Sequence, residues 1–158
     1  MVCNKPGAGV LGIAEEHSIP TLIIKRDEFY GEESCLPTLR ELKVDFLVLA
    51  GFLWKVPDAL ITAFPQAIVN IHPALLPEFG GKGMYGNHVH SAVIAAGRKE
   101  SGITIHYVDG HYDNGDIIFQ AKCEVLPDDT PESLASRIHQ LEHRHYPEVI
   151  EKIIKERR

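Results

Sequence analysis

Three short apolar runs, at residues 21–24, 45–50 and 67–71, are separated by stretches in which apolar residues recur at helical spacing. Strands laid side by side in one direction need long return connections, so this alternation predicts a parallel sheet with crossover helices. Phe46-Leu47-Val48-Leu49-Ala50 is apolar without interruption, which suits a strand covered on both faces. Helices are predicted at 8–17, 35–42 and 57–63. A fourth starts with Asn87 as cap, buries Val89, Ala92, Val93 and Ala96, and ends at Gly97. Strands at 102–108 and 116–125 follow. In the last helix Thr130 is the cap and Pro131 the first residue, Leu134, Ile138, Leu141 and His145 share one side, and Pro147 should kink or restart it. The expectation is one α/β domain over 1–158, a mostly parallel sheet with helices on both faces.

The third run leads into Asn70-Ile71-His72-Pro73-Ala74-Leu75-Leu76-Pro77. Residues two apart on a strand share a face, so Asn70 and His72 can reach one reacting atom together. Pro73 and Pro77 stop the strand and stiffen its exit. Alone, an Asn-x-His pair is more often the polar end of a strand satisfying loop backbone than a catalytic pair. A second segment adds weight: from Ser101 to Asp116 the chain alternates as a strand, with Thr104 and His106 on one face, then passes into a polar turn-forming loop.

Together the two segments resemble the glycinamide ribonucleotide formyltransferases, folate-dependent enzymes of purine synthesis. Their pattern is Asn-x-His-Pro-x-Leu-Leu-Pro, then Gly-x-(Ser/Thr)-x-His-x-Val, then Asp-x-Gly before an apolar strand ending in Gln-Ala. Here Gly102-Ile103-Thr104-Ile105-His106, Asp113-Asn114-Gly115 and Ile117-Ile118-Phe119-Gln120-Ala121 match it. The resemblance implies a Rossmann-like formyltransferase fold and 10-formyltetrahydrofolate as cosubstrate. Formyl transfer to an amine passes through a tetrahedral oxyanion, which needs hydrogen-bond donors and a proton shuttle. Asn70 can donate through its amide, His72 can donate or exchange a proton near neutral pH, and a carboxylate at Asp113 could order a relaying water. The resemblance implies these three as catalytic, with Thr104 and His106 behind them.

It also implies the binding segments. Leu53-Trp54-Lys55-Val56 matches the folate-contacting stretch, with Trp54 where an arginine is usual, and Trp54 is expected either along the cofactor or over the core. Asp109-Gly110-His111-Tyr112 matches the loop that closes on the pterin, where Asn70 and Asp113 also lie. His139-Gln140-Leu141-Glu142 matches the helix touching the ribonucleotide, with Glu142 placed to accept ribose hydroxyls.

Other features narrow the alternatives. A net charge of −6, with Lys152, Lys155, Arg157 and Arg158 interleaved with Glu148, Glu151 and Glu156, is a solvated helical face rather than a nucleic-acid stripe. No apolar run approaches the roughly 20 residues that span a bilayer, so no membrane partner is expected. Cys3, Cys35 and Cys123 lack disulfide or zinc-ribbon spacing, which suits a cytoplasmic setting. The pairs His88/His90 and His143/His145 would diverge on helices, and no metal is expected. Gly80-Gly81-Lys82-Gly83-Met84-Tyr85-Gly86 lacks the Walker pattern and reads as a mobile connector or a lid. Gly7-Ala8-Gly9 is no dinucleotide loop, since almost no strand precedes it.

The resemblance further implies a first strand and a phosphate-binding loop of Gly-Ser-Gly-Ser-Asn type beginning about 35 residues before Met1. Val2 and Cys3 match the end of the second strand, so the chain is expected to be N-terminally truncated and its strand at 45–50 to be separated from that at 21–24. Substrates are expected to be small molecules, with a homodimer allowed. The competing functions are formyl transfer to methionyl-tRNA or an amino sugar nucleotide, or folate binding without catalysis.

Overall fold

The computed structural model describes residues 1–31 and 35–157, so Arg158 lies outside the described residues. The chain forms two compact units, Met1–Val44 and Asp45–Arg158. In the first, β1 (Val2–Cys3) and β2 (Leu22–Ile23) run parallel, joined through α1 (Gly9–Glu16). Two short helices follow, α2 (Arg26–Tyr30) and α3 (Leu36–Glu41). Helix α2 was not anticipated, because five residues are too few to display a helical repeat. Its start is closed locally, the Lys25 N–H donating to the Glu28 carboxylate at 3.2 Å.

The second unit contains β3 (Leu47–Leu49), α4 (Asp58–Ala63), β4 (Ile68–His72), α5 (Asn87–Ala95), β5 (Glu100–Tyr107), β6 (Ile117–Glu124) and α6 (Pro131–Glu156). Its sheet has the order β3-β4-β5-β6. Strands β3 and β4 are parallel, with Leu49 opposite Asn70. The remaining pairs, β4–β5 and β5–β6, are antiparallel. The crossover pattern thus occupies β1–β2 and β3–β4, while the later strands are mixed in. The link from β5 to β6 spans only residues 108–116, too short for a crossover, which takes roughly a dozen residues or more. Gly115 makes that link possible: a Cβ there would lie 1.9 Å from the Tyr107 carbonyl oxygen. Among the described residues β2 pairs with β1, and β3 lies at one end of the four-stranded order.

One face of the sheet is packed by α5 and α6. Ile103 joins Val89, Val93, Leu134 and Ile138 in one buried cluster, and Val69 and Ile105 join Tyr146 and Ile153 in another. Each such aliphatic side chain contributes about 1.5–3 kcal/mol on burial. Helix α6 begins as expected, with the Thr130 hydroxyl accepting the Ser133 N–H at 3.2 Å. It does not restart at Pro147 but runs through as one helix. Tyr146 and Ile153, one on each side of the proline, pack on the same cluster, and this burial opposes the roughly 3 kcal/mol cost of an internal proline. Asn87 is not the cap of α5. Gly86 occupies that position with φ +53°, and the Asn87 amide donates instead to Glu132 at 3.2 Å. Gly97, with φ +64°, follows the end of α5 as expected. Among the described residues no helix is long and apolar enough to cross a membrane.

Candidate active site

Strand β4 ends at His72, and its antiparallel neighbour puts His106 opposite Asn70 and Thr104 opposite His72. All four side chains therefore project from one face. His106 Nδ1 lies 2.8 Å from the Tyr107 carbonyl, which can only accept, so Nδ1 carries the proton. The Nε2 lone pair is then left to accept from the Asn70 amide at 3.2 Å. Burial lowers the His106 pKa, outweighing the Tyr107 carbonyl and the Asp113 and Asp109 carboxylates, so the ring is neutral. A neutral ring held this way fixes the Asn70 amide and leaves its second N–H and its oxygen for a ligand.

His72 is oriented from both sides. Its Nε2–H donates to the Phe79 carbonyl at 2.8 Å, and its Nδ1 lies 3.5 Å from Asp113 Oδ2. That carboxylate accepts the Gly81 N–H at 2.9 Å, while its other oxygen is 3.7 Å from His106 Nε2. Asp113 sits at φ +51°, the left-handed region that Asp and Asn tolerate better than other side chains. The His72 and Asp113 side chains are 4% and 12% exposed, so the contact between them is largely removed from bulk water. Thr104, opposite His72 in register, hydrogen-bonds elsewhere. Its hydroxyl donates to Ala74 O at 2.7 Å and accepts from Leu76 N and the Gln120 amide, which pins the chain leaving His72.

A cavity of about 780 Å³ opens at the carboxyl ends of β3 and β4, where open α/β sheets bind small molecules. Asn70, His72, His106 and Asp113 form one wall. Of the expected folate residues, Leu53, Lys55, Val56, Asp109, His111 and Tyr112 line it, whereas Trp54 and Gly110 do not. The Trp54 ring packs edge-on against Phe52, which does line the cavity, at 5.8 Å. Of the expected ribonucleotide residues, His139 and Glu142 face the cavity, joined by a 2.7 Å hydrogen bond. Gln140 is exposed and Leu141 packs on the core, because successive helical residues turn by about 100°. Asp109 fastens its own loop, accepting from the His111 N–H at 2.8 Å and the Asn114 amide at 2.9 Å. Burial pushes its pKa upward, but the bonds from Asn114 and His111 prevail and leave it below the ordinary value.

Several functional groups were not legible beforehand. Phe79 and Gly81 act through backbone atoms, which leave no mark of residue type. The glycine-dense stretch was the available signal: residues 81–86 line the cavity, and a Cβ on Gly80 would lie 2.5 Å from a Leu76 methyl and 3.2 Å from Asp113 Cβ. His90 is buried and lines the cavity while His88 is exposed, so that pair diverges. Among the described residues no cluster of three or more His, Cys, Asp or Glu side chains is placed to hold a metal.

A small-molecule cleft at strand ends, walled by an oriented amide and a buried imidazole–carboxylate pair, is the arrangement of a group-transfer enzyme. The chain belongs to the formyl transferase family, whose model matches residues 1–150. It is 48% identical over 161 residues to a chloroplastic phosphoribosylglycinamide formyltransferase of Vigna unguiculata, covering 99% of this chain and 52% of that protein. With the Bacillus subtilis phosphoribosylglycinamide formyltransferase it shares 38% identity, covering 98% and 78% of the two chains. The crystal structure of phosphoribosylglycinamide formyltransferase from Bacillus halodurans superposes with a TM-score of 0.89 at 36% identity, covering 99% of this chain and 80% of that one. The chain thus spans about half the length of the plant relative and about four fifths of the bacterial ones.

Proposed function

We propose that this chain carries the site at which a formyl group passes from 10-formyltetrahydrofolate to the amine of glycinamide ribonucleotide, a step of de novo purine synthesis. The observation that carries the reading is the grouping of Asn70, His72 and Asp113 on one wall of the cavity, with His106 fixing the amide. The relatives' names support the choice of amine.

In this reading the amine nitrogen attacks the formyl carbon, and the carbonyl oxygen becomes an oxyanion. The free Asn70 N–H and a His72 N–H donate to it, donors aimed at the charge as it develops. His72 Nε2–H, held by Phe79 O, exchanges that partner for the oxyanion. The attacking nitrogen loses a proton, through a water held by Asp113, and the folate nitrogen gains one as its bond to the formyl carbon breaks. Formylated amide and tetrahydrofolate result, with no net change of protons. Leu53, Val56 and the 109–112 loop offer the folate an apolar slot with a polar rim, and Glu142 offers the ribose an acceptor. Both substrates are small molecules, so neither nucleic acid nor membrane is needed. Three free thiols suit a reducing compartment, the cytoplasm or the chloroplast of the plant relatives' names.

The test is formyl transfer from 10-formyltetrahydrofolate, followed by release of the deformylated folate, with glycinamide ribonucleotide, an amino sugar nucleotide and methionyl-tRNA as acceptors in parallel. Turnover of the first alone supports the reading. Turnover of another acceptor alone, or folate binding without turnover of any, refutes it.

A further inference from the structure

His90 lies on α5, 2% exposed, and among the described residues its buried Nδ1 has no hydrogen-bond partner. Most buried polar atoms are paired, so a solitary ring nitrogen at a cavity wall marks a place where a ligand supplies what the chain does not. The ring lines the same cavity as His72 and as His139 of α6, and both of those rings are close enough to act on it electrostatically. Burial lowers the His90 pKa and the two neighbouring imidazoles lower it further, so His90 is neutral, with one N–H and one lone pair to offer. On the functional reading above, the reacting amine sits at His72 and the ribose at His139 and Glu142. The part of the substrate spanning the two is the glycinamide linker, whose amide has one carbonyl and one N–H.

We propose that His90 is a specificity-determining residue that hydrogen-bonds the amide linker of the amine substrate, satisfying its ring and distinguishing a glycinamide from other amines. The assignment rests on the proposed function. A neutral ring brings no charge into the cavity.

The experiment compares the wild-type protein with His90→Gln and His90→Phe in steady-state formyl transfer, alongside ring-nitrogen NMR of wild-type histidines. Losing one neutral hydrogen bond and leaving the linker unpaired should raise KM for glycinamide ribonucleotide about 5- to 30-fold in His90→Phe. His90→Gln should recover part of that loss, and KM for the folate should stay within about 2-fold in both. In the wild type, the His90 ring signals should move on adding the ribonucleotide and stay in place on adding folate alone. This NMR readout stands even if a variant fails to fold. Unmoved His90 signals at saturating ribonucleotide, or equal rises in both KM values, overturn the proposal. If the wild type formylates glycinamide ribonucleotide while His90 proves indifferent, only the His90 assignment falls. If the wild type neither binds nor formylates it, the functional reading itself has failed.

Discussion

Replacing Asp113 by Asn separates charge from shape. Asn accepts the left-handed backbone at φ +51°, so the turn should survive. The Gly81 N–H requires an acceptor at 2.9 Å, which turns the new amide oxygen toward Gly81 and its NH2 toward His106 Nε2, 3.7 Å from the present Oδ1. That nitrogen's lone pair already accepts from Asn70, so the new NH2 is left to the cavity, and folding stability should fall by about 1–2 kcal/mol. What disappears is the anion 3.5 Å from His72 Nδ1. Positioned proton transfer contributes about 10²- to 10⁴-fold, so kcat should fall by that factor, equivalent to about 3–5 kcal/mol of barrier. The assay is steady-state formyl transfer with both substrates saturating, with folate affinity measured separately by calorimetry and expected within about 3-fold of wild type. Asp113→Ala is the contrast: it loses the Gly81 bond and strains the left-handed turn, and should destabilise the fold by about 2 kcal/mol. A fall in kcat below about 10-fold in Asp113→Asn, or folate affinity lost in step with kcat, would refute the proton-relay account and leave Asp113 as a shaper of its loop.

Three further perturbations follow from single contacts. Thr104→Val keeps the shape but strands Ala74 O and Leu76 N–H and leaves the Gln120 amide with the Leu76 carbonyl as its partner, and should cost about 2–4 kcal/mol in denaturant unfolding, whereas Thr104→Ser should recover most of it; equal losses would mean the hydroxyl is unimportant. Tyr146 OH donates to Leu49 O at 2.7 Å and lies 3.3 Å from Val69 O, so Tyr146→Phe should cost about 1–2 kcal/mol, and an unchanged unfolding midpoint would contradict this bracing of β3 and β4 by α6. Hydrogen bonds from Arg137, then Ser133, and the Leu126 N–H hold the Asp129 carboxyl well below the ordinary carboxylate range against its burial. A lowered folded-state pKa stabilises above the unfolded value, near about 4, and that contribution is lost as pH falls through the folded value. Urea midpoints should therefore drop below about pH 4 in the wild type, and less steeply in Asp129→Asn; parallel pH profiles would show that Asp129 is not a source of the acid sensitivity.

Where an element announced itself, the signal was local and strong. Thr130 and Pro131 open α6, and Leu134 and Ile138 turn inward as their spacing predicts. Asn70 and His72 share a face because strand geometry requires it. Where the expectation left a choice open, distant packing made it. Pro147 does not break α6, because the helix is buried on both sides of it. Trp54 turned to Phe52 rather than to the cavity, a choice between two apolar surfaces that residue type cannot make.

Periodicity, local along the chain, was enough for the α/β class and most element positions, and the motif resemblance picked out an amide, an imidazole and a carboxylate. The distances among those groups were not local. Asn70 and His106 are 36 residues apart, Gly81 and Asp113 are 32 apart, and they meet only because β4 and β5 pair antiparallel and the glycine loop folds back over their end. The same pairing decides that Phe79 and Gly81 orient His72 and Asp113 through backbone atoms, and that the His90 ring, which lines the cavity, keeps a nitrogen unpaired among the described residues. Backbone donors carry no residue signature, and a missing partner can be recognised only when every neighbour is in place.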